Sequence, residues 1–260
     1  MLADITRLEL RLRRRSTIGY AAGMALYTLV VVALYPSFKN STSLDSLSGS
    51  TAAAMFGVTG PLTSPGGWLN GNIYGNFFPL IMLLLTIGYG AAAVAGQDED
   101  GTLALLTALP LPRRAILVQK AAAMALQALL LAAAVTIAVF IGRAFQLTIS
   151  PGNAIAISAA VLLMGLDFGL VTMAAGAATR RRGTALAVGA CLAAVSYLLS
   201  SLAQTISWIR PGRYLSLFYW SVGDDQISKG LSAGDFAVLI TAGLCALWAA
   251  ADTFRRADLN

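Results

Sequence analysis

Residues able to do chemistry are few in this chain and stand far apart. Histidine is absent, which removes imidazole acid–base catalysis and histidine-ligated metals. Cys191 and Cys245 each sit alone in an apolar run, where a cysteine reads as a small buried hydrophobe rather than a disulfide or a reactive thiol. No Gly-rich phosphate loop ending in Gly-Lys-Ser or Gly-Lys-Thr, no His-Glu-x-x-His and no cysteine metal cluster occurs, so neither nucleotide hydrolysis nor metal catalysis is expected of this chain, and no cofactor of its own. Two acidic features remain. Asp167 lies inside an apolar run, in Gly165-Leu166-Asp167-Phe168-Gly169. A carboxylate in hydrocarbon is costly and points into a bundle or a cavity, so Asp167 is a candidate for gating or pathway contact, with a tie between helices as the structural alternative. Gly165 and Gly169, four apart, permit close packing on one face. The second feature is the run Asp98-Glu99-Asp100, which opens a polar gap from Gln97 to Lys120.

The elements that carry these residues follow from composition. Of 260 residues, 57% are hydrophobic and 12% charged, against about 25% charged in a soluble domain. The apolar residues gather into blocks of roughly 20, the length that crosses a hydrocarbon core of about 30 Å. Ala, Leu and Gly dominate the blocks, which fits helices and not the alternation of a membrane barrel. The fold class is therefore an all-α polytopic membrane protein, with six transmembrane helices at about 18–35, 77–96, 115–141, 154–178, 184–209 and 235–251. They form one domain over residues 17–252, followed by a tail at 253–260. The outer end of the fifth span is the least defined, because Ser200, Ser201, Gln204 and Thr205 interrupt it.

Residues 1–16 form an amphipathic helix with Leu2, Ile5, Leu8 and Leu12 at helical spacing among five arginines, a pattern suited to an interface with anionic head groups. A short cytosolic helix is the plainer alternative, and no cleavage motif marks a signal peptide. Gly19 and Gly23 would let a second helix approach the first span. After Pro36 comes a long weakly apolar stretch in which residues 47–58 read as a short helix; Pro61, Pro65 and Gly66-Gly67 enforce turns, and Trp68 and Tyr74 suit the head-group level. The stretch from Arg210 to Gly234, with Tyr214, Phe218, Tyr219 and Trp220, reads as an aromatic segment at the outer interface.

Thirteen of the 18 Lys and Arg residues fall on the side that carries the amino terminus, among them Arg113, Arg114 and Arg180 to Arg182. Positive charge gathers on the cytoplasmic side, so both termini and residues 97–114 are expected in the cytoplasm, with the chain in the inner membrane. The basic residues form no independent domain, which argues against nucleic acid as a partner.

Between spans two and three the sequence runs Asp98-Glu99-Asp100-Gly101-Thr102-Leu103-Ala104-Leu105-Leu106-Thr107-Ala108-Leu109-Pro110-Leu111-Pro112-Arg113-Arg114. This resembles the permease subunits of ABC-2 type transporters, whose motif is an acidic patch, Gly-Thr-Leu, a leucine block, Leu-Pro, and a basic residue leading into the third span. The likeness is close over some twenty residues and looser over the whole chain. It implies that residues 97–114 form a coupling helix that seats in a groove of a separate ATP-binding subunit. Thr102 suits its amino-terminal cap, although no capping box is completed, and Asp98, Glu99 and Asp100 favour its positive end. Leu103 and Leu106 would supply an apolar edge, and Pro110 and Pro112 would stiffen the exit into span three. Asp100 departs from the family pattern, which often has a basic residue there.

The resemblance further implies a pair of permeases, identical or mixed, with two ATP-binding subunits that carry ATP and Mg. Their work would be export of a small amphipathic molecule, drug, antibiotic or lipid-like compound. A non-transporting scaffold or immunity component that docks the same ATPase is the alternative. A secondary transporter fits less well, since Asp167 stands almost alone inside the membrane.

Overall fold

The protein, seen in a computed structural model, is described over residues 4–41, 61–103, 112–203, 206–223 and 226–256. The expected helix at 47–58 lies outside the described residues, as do Leu106 and Pro110. Helix α1 runs Asp4–Phe38. A short helix α2, Pro65–Leu69, passes through a π-helical turn, Asn70–Tyr74, towards α3, Phe77–Ala91. A second π-helical stretch, Ala92–Gly96, and one helical turn, Gln97–Glu99, extend α3. Then come α4 (Arg113–Ile141), α5 (Pro151–Thr179) and α6 (Arg182–Leu202). A 3-10 segment, Ser207–Leu215, leads into the short α7 (Leu217–Val222) and α8 (Gln226–Lys229) and the final α9 (Ala233–Arg256).

Six helical runs, namely α1, α4, α5, α6, α9 and the continuous run Pro65–Glu99 that contains α3, are long and apolar enough to cross a membrane, and no strand occurs among the described residues. The protein is a six-span helical bundle. An even number of crossings returns the chain to the face on which α1 began; we call this face, with Arg13 to Arg15, Arg113, Arg114 and Arg180 to Arg182, the basic side.

Helix α5 is the hub, packed against α3, α9, α6 and α4, while α1 packs along α4. Close approach at the hub depends on glycine: a Cβ on Gly90 of α3 would overlap the Gly169 carbonyl of α5, and one on Gly165 would run into Met82. Gly165 and Gly169 thus form the packing face that their spacing predicts. Nothing stands within 4 Å of where a Cβ would sit on Gly19 or Gly23, so that pair serves no helix contact here.

Several placements differ from the sequence reading. The basic amino-terminal segment and the first span are one unbroken helix of 35 residues. Ile5 and Glu9 are buried, whereas Leu8 and Leu12 are exposed, so a mixed stripe meets the bundle. Trp68 and Tyr74 belong to the core instead of the head-group level: Trp68 donates its indole N–H to the Val31 carbonyl (3.0 Å), and the Tyr74 hydroxyl pairs with Ser158 Oγ (2.9 Å). Their polar atoms find protein partners, which is what allows aromatic side chains to go inside. Cys191 and Cys245, expected inside, are exposed on α6 and α9. The fifth span, expected to reach 209, ends at Leu202, and the segment after it bonds back to the helix: Ser216 donates its hydroxyl to the Ser196 carbonyl at 2.6 Å. Of the aromatic segment at the end away from the basic side, Tyr214 is exposed, Tyr219 and Trp220 are half-buried and Phe218 is buried in the core, with the Arg213 guanidinium stacked on Tyr214 and Tyr219 at 4.9 and 4.8 Å.

Candidate functional site at the turn between spans two and three

The acidic turn is built by one glycine. Gly101 has φ +70°, a left-handed conformation that side-chain-bearing residues rarely adopt. With it the chain reverses: Asp100 N–H reaches the Gly96 carbonyl and Gly101 N–H the Asp98 carbonyl, each at 3.0 Å. The Thr102 hydroxyl donates back to the Gln97 carbonyl at 3.2 Å, closing the end of the extended α3. The amides that a cap at Thr102 would serve, on residues 104 and 105, lie outside the described residues.

Two residues of the turn are tied to the bundle. The Glu99 carboxylate accepts the Arg182 backbone N–H at 2.8 Å, at the first turn of α6, where a negative charge is favoured by the unpaired amides and the helix dipole. Leu103, expected on an apolar edge offered to a partner, points inward: it is 1% exposed and packs in a cluster with Tyr89, Leu117, Met173 and Phe254. It anchors the turn to its own bundle. Asp98, Arg113 and Arg114 stand at the ends of the segment on the basic side, Asp98 and Arg113 half-buried and Arg114 exposed.

Behind the turn lies a polar knot that the sequence reading did not assemble. Lys120, fully buried in α4, donates its ammonium to Glu9 Oε1 (2.8 Å) and to Gln97 Oε1 (2.5 Å), and Gln97 Nε2 donates to the same Glu9 oxygen (2.8 Å). Arg13 approaches the other Glu9 oxygen at 3.6 Å and lays its guanidinium over the Tyr89 ring at 4.5 Å. Nearby, the Thr6 hydroxyl donates to the Gln119 carbonyl and the Ile5 N–H to Gln119 Oε1. Gln97 and Lys120 are the two ends of the polar gap; one carboxylate from α1 holds both. Removing a single partner from such a buried, hydrogen-bonded ion pair leaves an uncompensated charge, a loss of about 3–5 kcal/mol. The signals available in sequence were Glu9, in register with Ile5 on one face of a helix with five arginines, and a lysine standing inside an apolar run.

Asp167 is elsewhere. It is 2% exposed on α5, faces α9, and would sit 2.6 Å from a Cβ on Gly243. Its Oδ2 makes no hydrogen bond. A separate apolar cleft of about 910 Å³ opens between α3 and α6, lined by Leu80, Leu84, Ile87, Ala190 and Phe218, and its end away from the basic side is at Asn76 and Tyr197, which share a 3.2 Å hydrogen bond. Asp167 is not among its lining residues. Among the described residues no group of His, Cys, Asp or Glu could hold a metal ion.

No curated protein matches the chain. The model of the family described as ABC-2 family transporter protein matches residues 3–250. That span takes in five of the six membrane helices whole and most of the sixth, with the acidic Gly-Thr-Leu turn and the knot behind it. On this ground the chain belongs to the ABC-2 transporter family, as a multi-pass membrane permease without a catalytic centre of its own.

Proposed function

We propose that this permease is the membrane part of an ATP-driven exporter of small amphipathic molecules, and that residues 97–114 dock a separate ATP-binding subunit carrying ATP and Mg. The observation that carries this reading is the anchoring of the turn. Gln97 and Lys120 are bound by Glu9, and Glu99 by the start of α6, so a push on the turn passes into α1, α3, α4 and α6 together. Closure of the ATP-binding subunits biases a paired permease between conformations through that connection. The basic side faces the cytoplasm in this reading, with both termini there and the chain in the inner membrane. The cleft between α3 and α6, almost wholly apolar in its lining, suits a substrate with a substantial apolar part.

Leu106→Asp tests the docking. The variant inserts and folds but no longer co-purifies with the ATP-binding subunit, or co-purifies without ATP-dependent flux in vesicles, because a charge replaces an apolar contact. Normal co-purification together with normal flux rules the docking assignment out.

A further inference from the structure

On the basic side, a second pocket of about 180 Å³ lies between α1, α3, α4 and the start of α6, with Arg13, Ser16, Tyr89, Gln127 and Arg182 in its wall. Its polar groups are arranged as donors. Gln127 is 3% exposed; its Oε1 accepts the Thr17 hydroxyl at 3.1 Å, which leaves Nε2 buried with no hydrogen bond. Tyr89 is 1% exposed, and its hydroxyl is directed at the Glu9 carboxylate, so Gln127 Nε2 is the donor left without an acceptor. A buried donor without an acceptor is costly, and such groups call for a ligand or ordered water.

The surrounding charge favours an anion. Three cations, Arg13, Lys120 and Arg182, stand near two carboxylates. Glu9 is taken up by Lys120, Gln97 and Arg13, and Glu99 is bound to the α6 backbone. Arg182, whose side chain passes Gly96, has no ion pair among the described residues. Basic pockets between membrane helices on the cytoplasmic side are suited to phosphate head groups.

The pocket is not isolated. Leu84 and Gly88 line both it and the large apolar cleft between α3 and α6. From Gly88 to Asn76, at the cleft's outer end, is twelve residues along α3, about 18 Å at helical rise. A donor-lined cationic pocket that opens at one corner into a long apolar cleft matches an anion carried on an apolar chain.

Resting on the permease reading and narrowing its substrate class, we infer that this protein takes a phosphate-bearing amphiphile from the inner leaflet, its head group received by Arg182, Gln127 and Arg13 and its chain laid along the cleft between α3 and α6. The Gln127 amide and the Arg182 guanidinium donate to the anionic oxygens, Arg13 adds charge from above the Tyr89 ring, and the aliphatic wall from Gly88 outward accommodates the tail.

Native mass spectrometry of the full-length protein in neutral detergent tests this with dioleoyl phosphatidic acid, dioleoyl phosphatidylcholine and inorganic phosphate as probes. The expected result is one phosphatidic acid retained per chain with about tenfold preference over phosphatidylcholine, the worth of one hydrogen bond to a charged group, and no competition from inorganic phosphate at similar concentration. Arg182→Gln and Gln127→Leu each abolish the preference while phosphatidylcholine retention stays the same. Arg181→Gln, one residue away and outside the pocket, keeps it. Equal retention of the two lipids overturns the inference, as does displacement by inorganic phosphate alone, which would mark a free-anion site. So does an equal loss in Arg181→Gln and Arg182→Gln, which would mark general attraction of anionic lipid to a basic surface. Should Arg182→Gln keep the full preference, the inference also falls, since this exposed side chain can be changed without disturbing the core. Co-purification with the ATP-binding subunit, scored on the same preparations, reports the permease reading separately.

Discussion

Glu9 and Asp167 are equally hidden, each 2% exposed, yet their surroundings are opposite. Glu9 lies between a lysine, a glutamine and an arginine, with its charge answered and its oxygens occupied. Asp167 meets the backbone of Gly243 across the α5–α9 contact and has an oxygen without a partner. Burial alone does not say what a carboxylate does. In the first case it fastens three segments that are remote in sequence; in the second it stands ready for a change of neighbour.

The largest effect that separates the two should come from Glu9→Leu, which strands the Lys120 charge and lowers stability by about 3–5 kcal/mol. Glu9→Leu with Lys120→Met should recover most of it, because two apolar side chains replace a matched pair. Unfolding of the purified variants, compared as a double-mutant cycle, checks this, and simple additivity would mean the pair is not coupled. Gly243→Ala is next. Its methyl would press on Asp167 Oδ1, at 2.6 Å, for a cost of about 1–3 kcal/mol as in other overpacked sites; adding Asp167→Ala should relieve it, and persistence of the defect would show that the methyl strains something else. The smallest effect belongs to Asp167→Asn, which keeps the shape and should change stability by less than about 1 kcal/mol, there being no ion pair to it among the described residues. A loss as large as that of Glu9→Leu would dissolve the contrast, whereas lost flux at unchanged stability would give Asp167 a part in gating.

How much of this could be read in advance depended on what lipid hides. The six spans were legible because charged and turn-forming residues bound blocks of about 20 apolar residues. The acidic turn was legible because Gly101, between acids and leucines, has a local reason to be there. Which face of a span is buried was not, since in a membrane bundle the lipid-facing side is as apolar as the core; hence Cys191 and Cys245 were placed inside although they are exposed. Trp68 and Tyr74 were misjudged because an aromatic residue at a head-group belt and one inside a bundle have the same composition around them. The knot was illegible for another reason. Glu9 and Lys120 are 111 residues apart, and nothing in the sequence pairs the acid of the amino-terminal helix with a lysine inside the third span. Lys120, like Asp167, is a charge within an apolar run.

One consequence concerns timing. Because α1 is continuous from Asp4 to Phe38, the Glu9 carboxylate and the Val31 carbonyl, which receives Trp68, ride on a single stiff rod, about 33 Å apart at helical rise. A tilt of about 5° around one end moves the other by about 3 Å, the length of one hydrogen bond. The two ends therefore cannot keep separate schedules: whatever shifts the basic side is felt at the far side in the same stroke, without a relay of intermediate rearrangements.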